Sequence, residues 1–328
     1  MSSRTIVTFG EAMVRLTPPN LQRIEQTSVL DLYIAGAELN VAVALARIGE
    51  PVAWVSRLPD NPLGRRVVLH ARGHGVATEG VQWSSEGRLG LLFVELGSRP
   101  RATASLYDRA ESAFAQLDPG VFDWPALLDG ARALHTSGIT PALSAACAQA
   151  AAEALAAARE AGLHTSYDLN FRARLGTPGQ ARAAAEALAP SIDTLIASAG
   201  EAAAVFGLDG EPAEVAPALR ERLGVTRVVI SRRLDIGDGL QVRRSACADH
   251  EVVQADSPEF ALVDPLGGGD AFSAGFLSGL LNEDPKRGLE LGGAMAALKQ
   301  SIPGDFAIID PAEVDELVHR GVFAGTRR

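Results

Sequence analysis

Short apolar segments alternate with alanine-rich helical segments through the middle of this chain. The strand-like segments are 133–137, 164–169, 194–197 and 227–230, and the helical segments lie near 143–161, 179–189, 201–206 and 212–223. This alternation predicts a mostly parallel sheet covered by helices on both faces, which binds ligands at the carboxyl ends of its strands. With 328 residues and 47% hydrophobic content, the chain can bury the large core of such an α/β fold.

The stretch 260–281, FALVDPLGGGDAFSAGFLSGLL, predicts a buried strand, a glycine turn and a helix that begins near Asp270. In the turn, Gly267, Gly268 and Gly269 let backbone N–H groups approach a ligand, and with the helix N-terminus they favour a phosphate. A carboxylate repels phosphate, so a catalytic base explains Asp270 better. It would take the proton of an attacking hydroxyl while the N–H groups hold the phosphoryl charge. The alternative is an ordinary first-turn carboxylate after a tight turn.

Charge and composition restrict the class of partner. The formal net charge is −10, whereas a nucleic-acid surface requires a basic patch. No apolar run approaches the roughly 20 residues that span a bilayer, and the residues before the strand at 6–9 do not read as a signal peptide. Cys147 and Cys247 are isolated, which gives no support to a zinc site or a disulfide framework. We therefore expect a cytoplasmic protein that acts on small molecules, without a nucleic-acid or membrane partner.

Two segments resemble the signatures of the ribokinase-like (PfkB-type) sugar kinases. Residues 264–270, DPLGGGD, are similar to the second signature, an Asp-Thr-x-Gly-Ala-Gly-Asp turn that opens a helix. Pro265 replaces the usual threonine and Gly268 the usual alanine, and neither change removes a group that the anion hole or the base requires. GAELN, from Gly36 to Asn40, is similar to the first signature, which implies that Gly36 and Asn40 line the sugar site.

The resemblance runs from about residue 10 to residue 317 and implies a ribokinase-like α/β fold. Its central, mostly parallel sheet would be flanked by helices, and a small β-sheet lid would cover the sugar. Two strand-rich blocks, 11–35 and 88–112, are the predicted lid. The predicted kinase core comprises 1–10, 36–87 and 113–328. A homo-oligomer formed through the lid is a further expectation.

Two segments near strand ends carry the expected substrate contacts. YDRAESA looks like the Tyr-x-Arg-x-x-Ser-Ala stretch of 2-keto-3-deoxygluconate kinases, which implies that Tyr107 and Arg109 hold a sugar acid. DLNFR, at 168–172, resembles the family's Asp-x-Asn-x-Arg segment. A guanidinium matches a carboxylate in a two-point contact, so Arg172 is assigned to an anionic substrate group. Solvated charges at strand ends are the alternative for both segments.

The resemblance implies ATP and Mg²⁺ as cofactors and leaves a need for a monovalent cation open. Ser198 and Glu201 occupy the place of the family's Asn-x-x-Glu motif, whose glutamate helps to organise magnesium, although Ser198 replaces the asparagine. Glu201 is therefore assigned to the metal, which supplies positive charge to the β and γ phosphate oxygens. A helix-start glutamate without a metal is the alternative.

The segment 231–239 departs most from the family, which places Gly-x-x-Gly beneath the nucleotide. Here Arg232 and Arg233 come first and the glycines come later. Solvated arginines are the alternative to phosphate contacts, and the altered loop predicts modest ATP affinity. The residues assigned to the nucleotide are Asn170, Ser198, Ser231, Arg233, Gly237, Gly239, Gly267 and Gly269.

Together these features predict an ATP-dependent kinase that phosphorylates a primary hydroxyl of a sugar acid, with 2-keto-3-deoxygluconate as the first candidate. One alternative is a kinase of the same fold for a neutral sugar such as fructose or ribose. Another is a sugar-binding protein without turnover, which the altered loop suggests. A dinucleotide dehydrogenase fits less well, because the glycine turn lies late in the chain and lacks GxGxxG spacing.

Overall fold

The computed structural model describes residues 5–118 and 120–320. Within these ranges the strands are β1 (Thr5–Phe9), β2 (Met13–Thr17), β3 (Asp31–Ala35), β4 (Val52–Pro59), β5 (Val81–Ser84), β6 (Gly90–Glu95), β7 (Ala104–Asp108), β8 (Ala131–Ser137), β9 (His164–Asp168), β10 (Thr194–Ser198), β11 (Arg227–Gly237), β12 (Leu240–Ala248), β13 (Val252–Asp256) and β14 (Phe260–Ala261). The helices of the same residues are α1 (Ala37–Arg47), α2 (Pro62–Gly73), α3 (Trp124–Leu127), α4 (Ile139–Leu143), α5 (Ala145–Glu160), α6 (Pro178–Leu188), α7 (Ala199–Phe206), α8 (Pro212–Leu223), α9 (Gly268–Asn282), α10 (Pro285–Gln300) and α11 (Pro311–Arg320). None of these helices is long and apolar enough to cross a membrane. The predicted core domain also includes 1–4, 119 and 321–328, which lie outside the described residues.

The large sheet has the strand order β13-β12-β11-β10-β9-β8-β1-β4-β5, with β14 paired to β12. Neighbouring strands from β11 to β5 are parallel, and β12, β13 and β14 are antiparallel. Along β1, Ile6 packs into one hydrophobic core, whereas Val7 and Phe9 pack into the other. This alternation shows that the sheet is buried on both faces, as a parallel sheet between helices requires. The predicted ribokinase-like α/β fold is confirmed.

The small sheet has the order β3-β2-β6-β7, and all four strands lie within the two ranges predicted for the lid. Met13, Ala35 and Leu92 form a core on its inner face, whereas Leu106 on β7 is 55% exposed. Within the block predicted over 88–112, the second strand begins only at Ala104, because the residues before it form a turn. The division into lid and core domains and a homo-oligomer through the lid stay predictions.

The stretch 260–281 was expected to begin with a buried strand, and this prediction is wrong for residues 262 and 263. Only Phe260 and Ala261 pair with a neighbouring strand, and Val263 is 48% exposed. The N–H groups of Val263 and Asp264 instead donate to the Gln300 carbonyl, at 2.8 and 3.2 Å. An apolar run this short specifies no partner for its backbone, so packing against α10 decided the outcome.

The strand expected to end at Ile230 continues to Gly237 and forms a long antiparallel hairpin with β12. Gly237, Asp238 and Gly239 form the tip of this hairpin, with φ values of 96°, 50° and 77°. Glycine and aspartate are residues that adopt such left-handed conformations in tight turns. The segment 231–239 is therefore mostly strand, and its glycines turn the chain at the edge of the sheet.

Arg15 on β2 is a fully buried cation that connects the small sheet to the rest of the molecule. Its Nη2 atom lies 2.7 Å from Asp264 Oδ2, and its Nη1 atom lies 2.7 Å from Asp305 Oδ2. Asp264 precedes the glycine turn and also accepts from the Gly304 N–H at 3.0 Å. The Tyr33 ring covers the guanidinium, with its centroid 5.4 Å from the Arg15 Cζ atom. One side chain thus joins three segments that are distant in sequence.

We expect Arg15→Ala to lower the free energy of unfolding by about 3–5 kcal/mol, because it leaves two buried carboxylates without their cation. Urea denaturation followed by circular dichroism measures this loss. The control is Arg65→Ala, which removes an ion pair with Asp60 whose two side chains are 54% and 60% exposed. That control should cost less than about 1 kcal/mol. Similar losses in the two variants would contradict the prediction.

Candidate active site

A cavity of about 490 Å³ lies between the small sheet and the carboxyl ends of the central parallel strands. It is open to solvent on one side and is the place where this fold class binds ligands. The predicted site residues that line it are Gly36, Asn40, Tyr107, Arg109, Asn170, Arg172, Ser198, Glu201, Ser231, Gly267, Gly269 and Asp270. Gly268, Arg233, Gly237 and Gly239 were also predicted and are not among its lining residues. The assignments of these four residues stay predictions.

The N-terminus of α9 faces this cavity without a side-chain cap. Gly267 precedes the helix with φ 75°, and a Cβ atom there would lie 2.0 Å from the Asp305 carbonyl oxygen. Only glycine is therefore accommodated at this position. The first N–H groups of a helix have no intrahelical partner, and the helix dipole favours negative charge beside them. The turn is thus built to receive an anion.

Asp270 lies in the first turn of α9 and is 8% exposed. Asn40, in the first turn of α1, donates from Nδ2 to Asp270 Oδ2 at 2.6 Å. Burial raises the pKa of Asp270 to about 6, while the Asn40 hydrogen bond and the Arg172 charge favour the ionised form. A carboxylate with this pKa is ionised at neutral pH and is more basic than an exposed one, which suits a general base.

Two further buried carboxylates line the cavity. Asp168, at the end of β9, accepts from Ser273 Oγ at 3.2 Å, and burial together with the charges of Glu201 and Asp270 holds its pKa well above the usual range. Glu38 accepts from Ser137 Oγ at 2.7 Å, and burial raises its pKa to about 7. Sequence reasoning missed Glu38, although a glutamate among the small residues of a helix start was a usable signal.

Arg109 and Arg172 differ in their surroundings. Arg109 is buried and forms an ion pair with Glu11, whose carboxylate also accepts from the Ser112 hydroxyl. Sequence reasoning missed Glu11, because nothing local indicates this pairing across 98 positions. The Arg172 side chain is exposed at the cavity wall, and within 5–118 and 120–320 no carboxylate lies within ion-pair distance of it. Arg172 is therefore a cation available to an anionic ligand.

Ser198 and Glu201 form a capping box at the start of α7. The Ser198 N–H and Oγ each lie 2.7 Å from Glu201 Oε2, and the Glu201 N–H donates back to Ser198 Oγ at 3.2 Å. This arrangement stabilises the helix start by itself. No group of three or more His, Cys, Asp or Glu side chains that could hold a metal occurs in the part of the chain that the structure describes. A metal here would take most of its ligands from phosphate and water.

The arginines of the hairpin formed by β11 and β12 differ in their burial and in their partners. Arg232 donates to Glu211 at 3.1 Å and to the Gly210 carbonyl at 2.6 Å, on the outer side of the sheet. The Arg233 side chain is exposed to solvent, although partial desolvation of its guanidinium by neighbouring atoms lowers its pKa. Arg243 on β12 is buried and lines the cavity. Sequence reasoning missed Arg243, because it lies in an alternating strand without any motif.

Comparisons with known proteins agree with this geometry. Residues 3–306 match the pfkB family carbohydrate kinases. The chain is 42% identical over 326 residues to a 2-dehydro-3-deoxygalactonokinase of Haloferax volcanii, covering 98% of this chain and 99% of that protein. The crystal structure of a 2-dehydro-3-deoxygluconokinase from Thermotoga maritima superposes with a TM-score of 0.91 at 34% identity, covering 96% and 98% of the two chains. A fructokinase from Xylella fastidiosa with bound ATP shares the fold, with a TM-score of 0.78 at 23% identity and coverage of 97% and 98%.

The fold and the cavity are therefore those of a ribokinase-type phosphotransferase. The chain belongs to the PfkB family of carbohydrate kinases.

Proposed function

We propose that this kinase transfers the γ-phosphoryl group of ATP to a primary hydroxyl of a 2-keto-3-deoxy sugar acid. The observation that carries the proposal is the Asn40–Asp270 contact at the uncapped start of α9. The names of the Haloferax and Thermotoga relatives support this substrate class. The gluconate and galactonate forms are both candidates, since each relative is named for one of them.

In this mechanism Asp270 takes the proton of the attacking hydroxyl. Asn40 holds the carboxylate through Oδ2, and its own Oδ1 atom is buried without a hydrogen-bond partner in the described structure. That free acceptor suits a sugar hydroxyl, which would then lie beside Asp270. The N–H groups of Gly268 and Gly269 stabilise the charge that develops on the transferred phosphoryl group.

ATP and Mg²⁺ fit the phosphate side of the cavity. The start of α9 has no side-chain cap, so its first N–H groups are available to a ligand that accepts hydrogen bonds, such as a phosphate. Glu201 and Asp168 are carboxylates on the cavity wall that would hold the hydrated metal ion. Magnesium retains several waters and binds through few protein carboxylates, which agrees with this small set. When bound, the ion supplies positive charge to the β and γ phosphate oxygens.

The carboxylate of the sugar acid would be held by Arg172, with Arg109 and Tyr107 beside it. Arg109 lies over the Tyr107 ring, with its Cζ atom 5.8 Å from the centroid, and its Nε atom is buried without a partner in the described structure. Glu11 neutralises much of the Arg109 charge. Arg172 has no such partner among the described residues, so it is the stronger candidate for reading the acid group.

The first test of the proposal is Asp270→Asn. This change should lower kcat by roughly 100-fold or more, because the hydroxyl loses its base, while sugar-acid affinity measured by calorimetry stays near normal. The control is Asp129→Asn, which alters an exposed carboxylate that does not line the cavity. Turnover of Asp270→Asn close to wild type would remove the base assignment.

The pH dependence provides a second test. Because the base acts in its ionised form, kcat/KM should rise with pH through about 6 and then level off. The Asn40 hydrogen bond favours the ionised carboxylate of Asp270. Asn40→Ala should therefore shift the rising part of the kcat/KM profile to higher pH by about one unit. If the rising part of the profile stays in place or shifts to lower pH in this variant, Asp270 is not the titrating group.

Arg172→Ala tests the substrate class. It should raise KM for the sugar acid by about tenfold or more, with little change for a neutral sugar such as fructose, because only the acid loses a charge-assisted contact. Arg174→Ala removes an exposed arginine two positions away and is the matched control. Equal effects on acid and neutral sugars would assign Arg172 to a group that both share.

A further inference from the structure

Arg243 is a buried cation without a carboxylate partner. Its side chain is 8% exposed, and its Nε atom has no hydrogen-bond partner within the described residues. Nη1 donates to Ser231 Oγ at 2.9 Å, and Nη2 donates to Gln300 Oε1 at 3.3 Å. Both acceptors are neutral, and no carboxylate among the described residues forms an ion pair with this guanidinium. Burial lowers the Arg243 pKa to about 10, which leaves it charged at neutral pH.

The hairpin sorts its four arginines onto two faces. In the register of β11 and β12, Arg232 faces Arg244 and Arg233 faces Arg243. Neighbouring residues of a strand point to opposite faces, so the two pairs separate. Arg244 forms ion pairs with Asp256 and Glu211, and Arg232 pairs with Glu211 as well. Arg233 and Arg243 lie together on the other face, where Arg243 lines the cavity, and no carboxylate among the described residues is within 4 Å of either.

Two like charges on one face repel each other, and the charge of Arg233 does lower the pKa of Arg243. A buried uncompensated charge is costly unless a ligand supplies the opposite charge. A second unsatisfied donor lies beside it, because Gln300 Nε2 is fully buried and has no partner within the described residues. The cluster therefore presents several N–H donors and excess positive charge to an anion.

This cluster lies beside the start of α9. The Arg243 Cζ atom is 5.5 Å from the centroid of the Phe272 ring, on the first turns of that helix. A Cβ atom on Gly268 would lie 2.6 Å from Gln300 Cγ, so Gln300 touches the glycine turn. Arg243 thus borders the N–H groups that face the transferred phosphoryl group. Asp168 and Glu201, the proposed metal carboxylates, are close enough to raise its pKa.

The sheet order separates Arg243 from the sugar side of the cavity. β12 lies three strands from β9, after which Arg172 follows. At about 4.8 Å between neighbouring strands, the backbones of β12 and β9 lie roughly 14 Å apart. A sugar acid held by Arg172 and positioned at Asp270 therefore extends away from Arg243. The anion that Arg243 is placed to bind comes from the phosphate donor.

We propose that Arg243 is the nucleotide-phosphate cation of this enzyme and binds the β and γ phosphates of ATP together with Gln300 Nε2. The proposal rests on the phosphoryl-transfer function proposed above. It assigns to a side chain of β12 the phosphate contacts that a glycine loop at 231–239 would otherwise make. In this proposal Arg243 contacts the phosphate donor, ATP, and does not contact the sugar.

The test uses Arg243→Met, Arg243→Lys and the control Arg244→Met on the opposite face. Calorimetry with Mg²⁺ and without sugar gives the affinities for ATP, ADP, AMP and adenosine. Arg243→Met should weaken ATP binding by about tenfold or more and adenosine binding by less than about twofold, because only the former carries terminal phosphates. Arg243→Lys should retain part of the ATP affinity, and Arg244→Met should match wild type.

Thermal denaturation separates this assignment from a purely structural one. If Arg243 serves a ligand, Arg243→Met removes a buried charge that has no ion-pair partner among the described residues, so the melting temperature without nucleotide should not fall below that of wild type. The stabilisation by ATP and Mg²⁺ should then be mostly lost. A lower melting temperature without nucleotide, or an equal loss of affinity for ATP and adenosine, would overturn the proposal.

These experiments distinguish failure of the Arg243 assignment from failure of the proposed kinase function. Unchanged ATP affinity in Arg243→Met, with sugar-acid turnover in the wild type, would overturn the Arg243 assignment and leave the kinase function intact. Loss of ATP affinity in Arg243→Met, with no wild-type turnover on any sugar acid, would support Arg243 and overturn the substrate proposal. A wild-type protein that binds neither ATP nor inorganic tripolyphosphate would overturn both.

Discussion

The ion pairs of Arg15 hold the reacting turn in place. Asp264 begins the turn and, besides Arg15, accepts from the Leu266 N–H at 3.1 Å, while the Asp305 backbone lies against Gly267. The position of the α9 N-terminus, and with it Asp270, therefore depends on a cation from the small sheet. Breaking a buried pair leaves charges that no solvent can compensate, so loss of this junction is strongly destabilising. The sheet that covers the cavity is thus joined by buried ion pairs to the turn that forms its floor.

The electrostatics of the cavity follow from burial. Asp270, Asp168 and Glu38 each have a raised pKa, because a low-dielectric wall disfavours their charged forms. Arg172 and Arg243 supply positive charge without a carboxylate partner in the described structure. A site that must accept both a sugar acid and a nucleotide needs such cations at separate places.

The antiparallel strands at the edge of the large sheet determine which residues lie near the expected phosphate site at the start of α9. Because β11 runs on to Gly237, the segment expected to bind nucleotide through glycines becomes a hairpin whose tip lies outside the cavity lining. The same pairing brings Arg243 opposite Arg233 and within reach of Ser231. A departure from the family pattern in one strand is thus accompanied by a charged side chain on the next. The register of the hairpin brings the two features together at this edge of the sheet.

The sequence by itself determined the local elements. The alternation of strands and helices, the glycine turn, and the first-turn position of Asp270 all follow from the spacing of apolar residues and glycines within a few positions. Only the tertiary structure decided which side chains meet. The Asn40–Asp270 bond spans 230 positions, and Arg15 reaches carboxylates 249 and 290 positions away. Periodicity reports which face of an element is buried, but partners on different elements are chosen by packing and by the need to compensate buried charge.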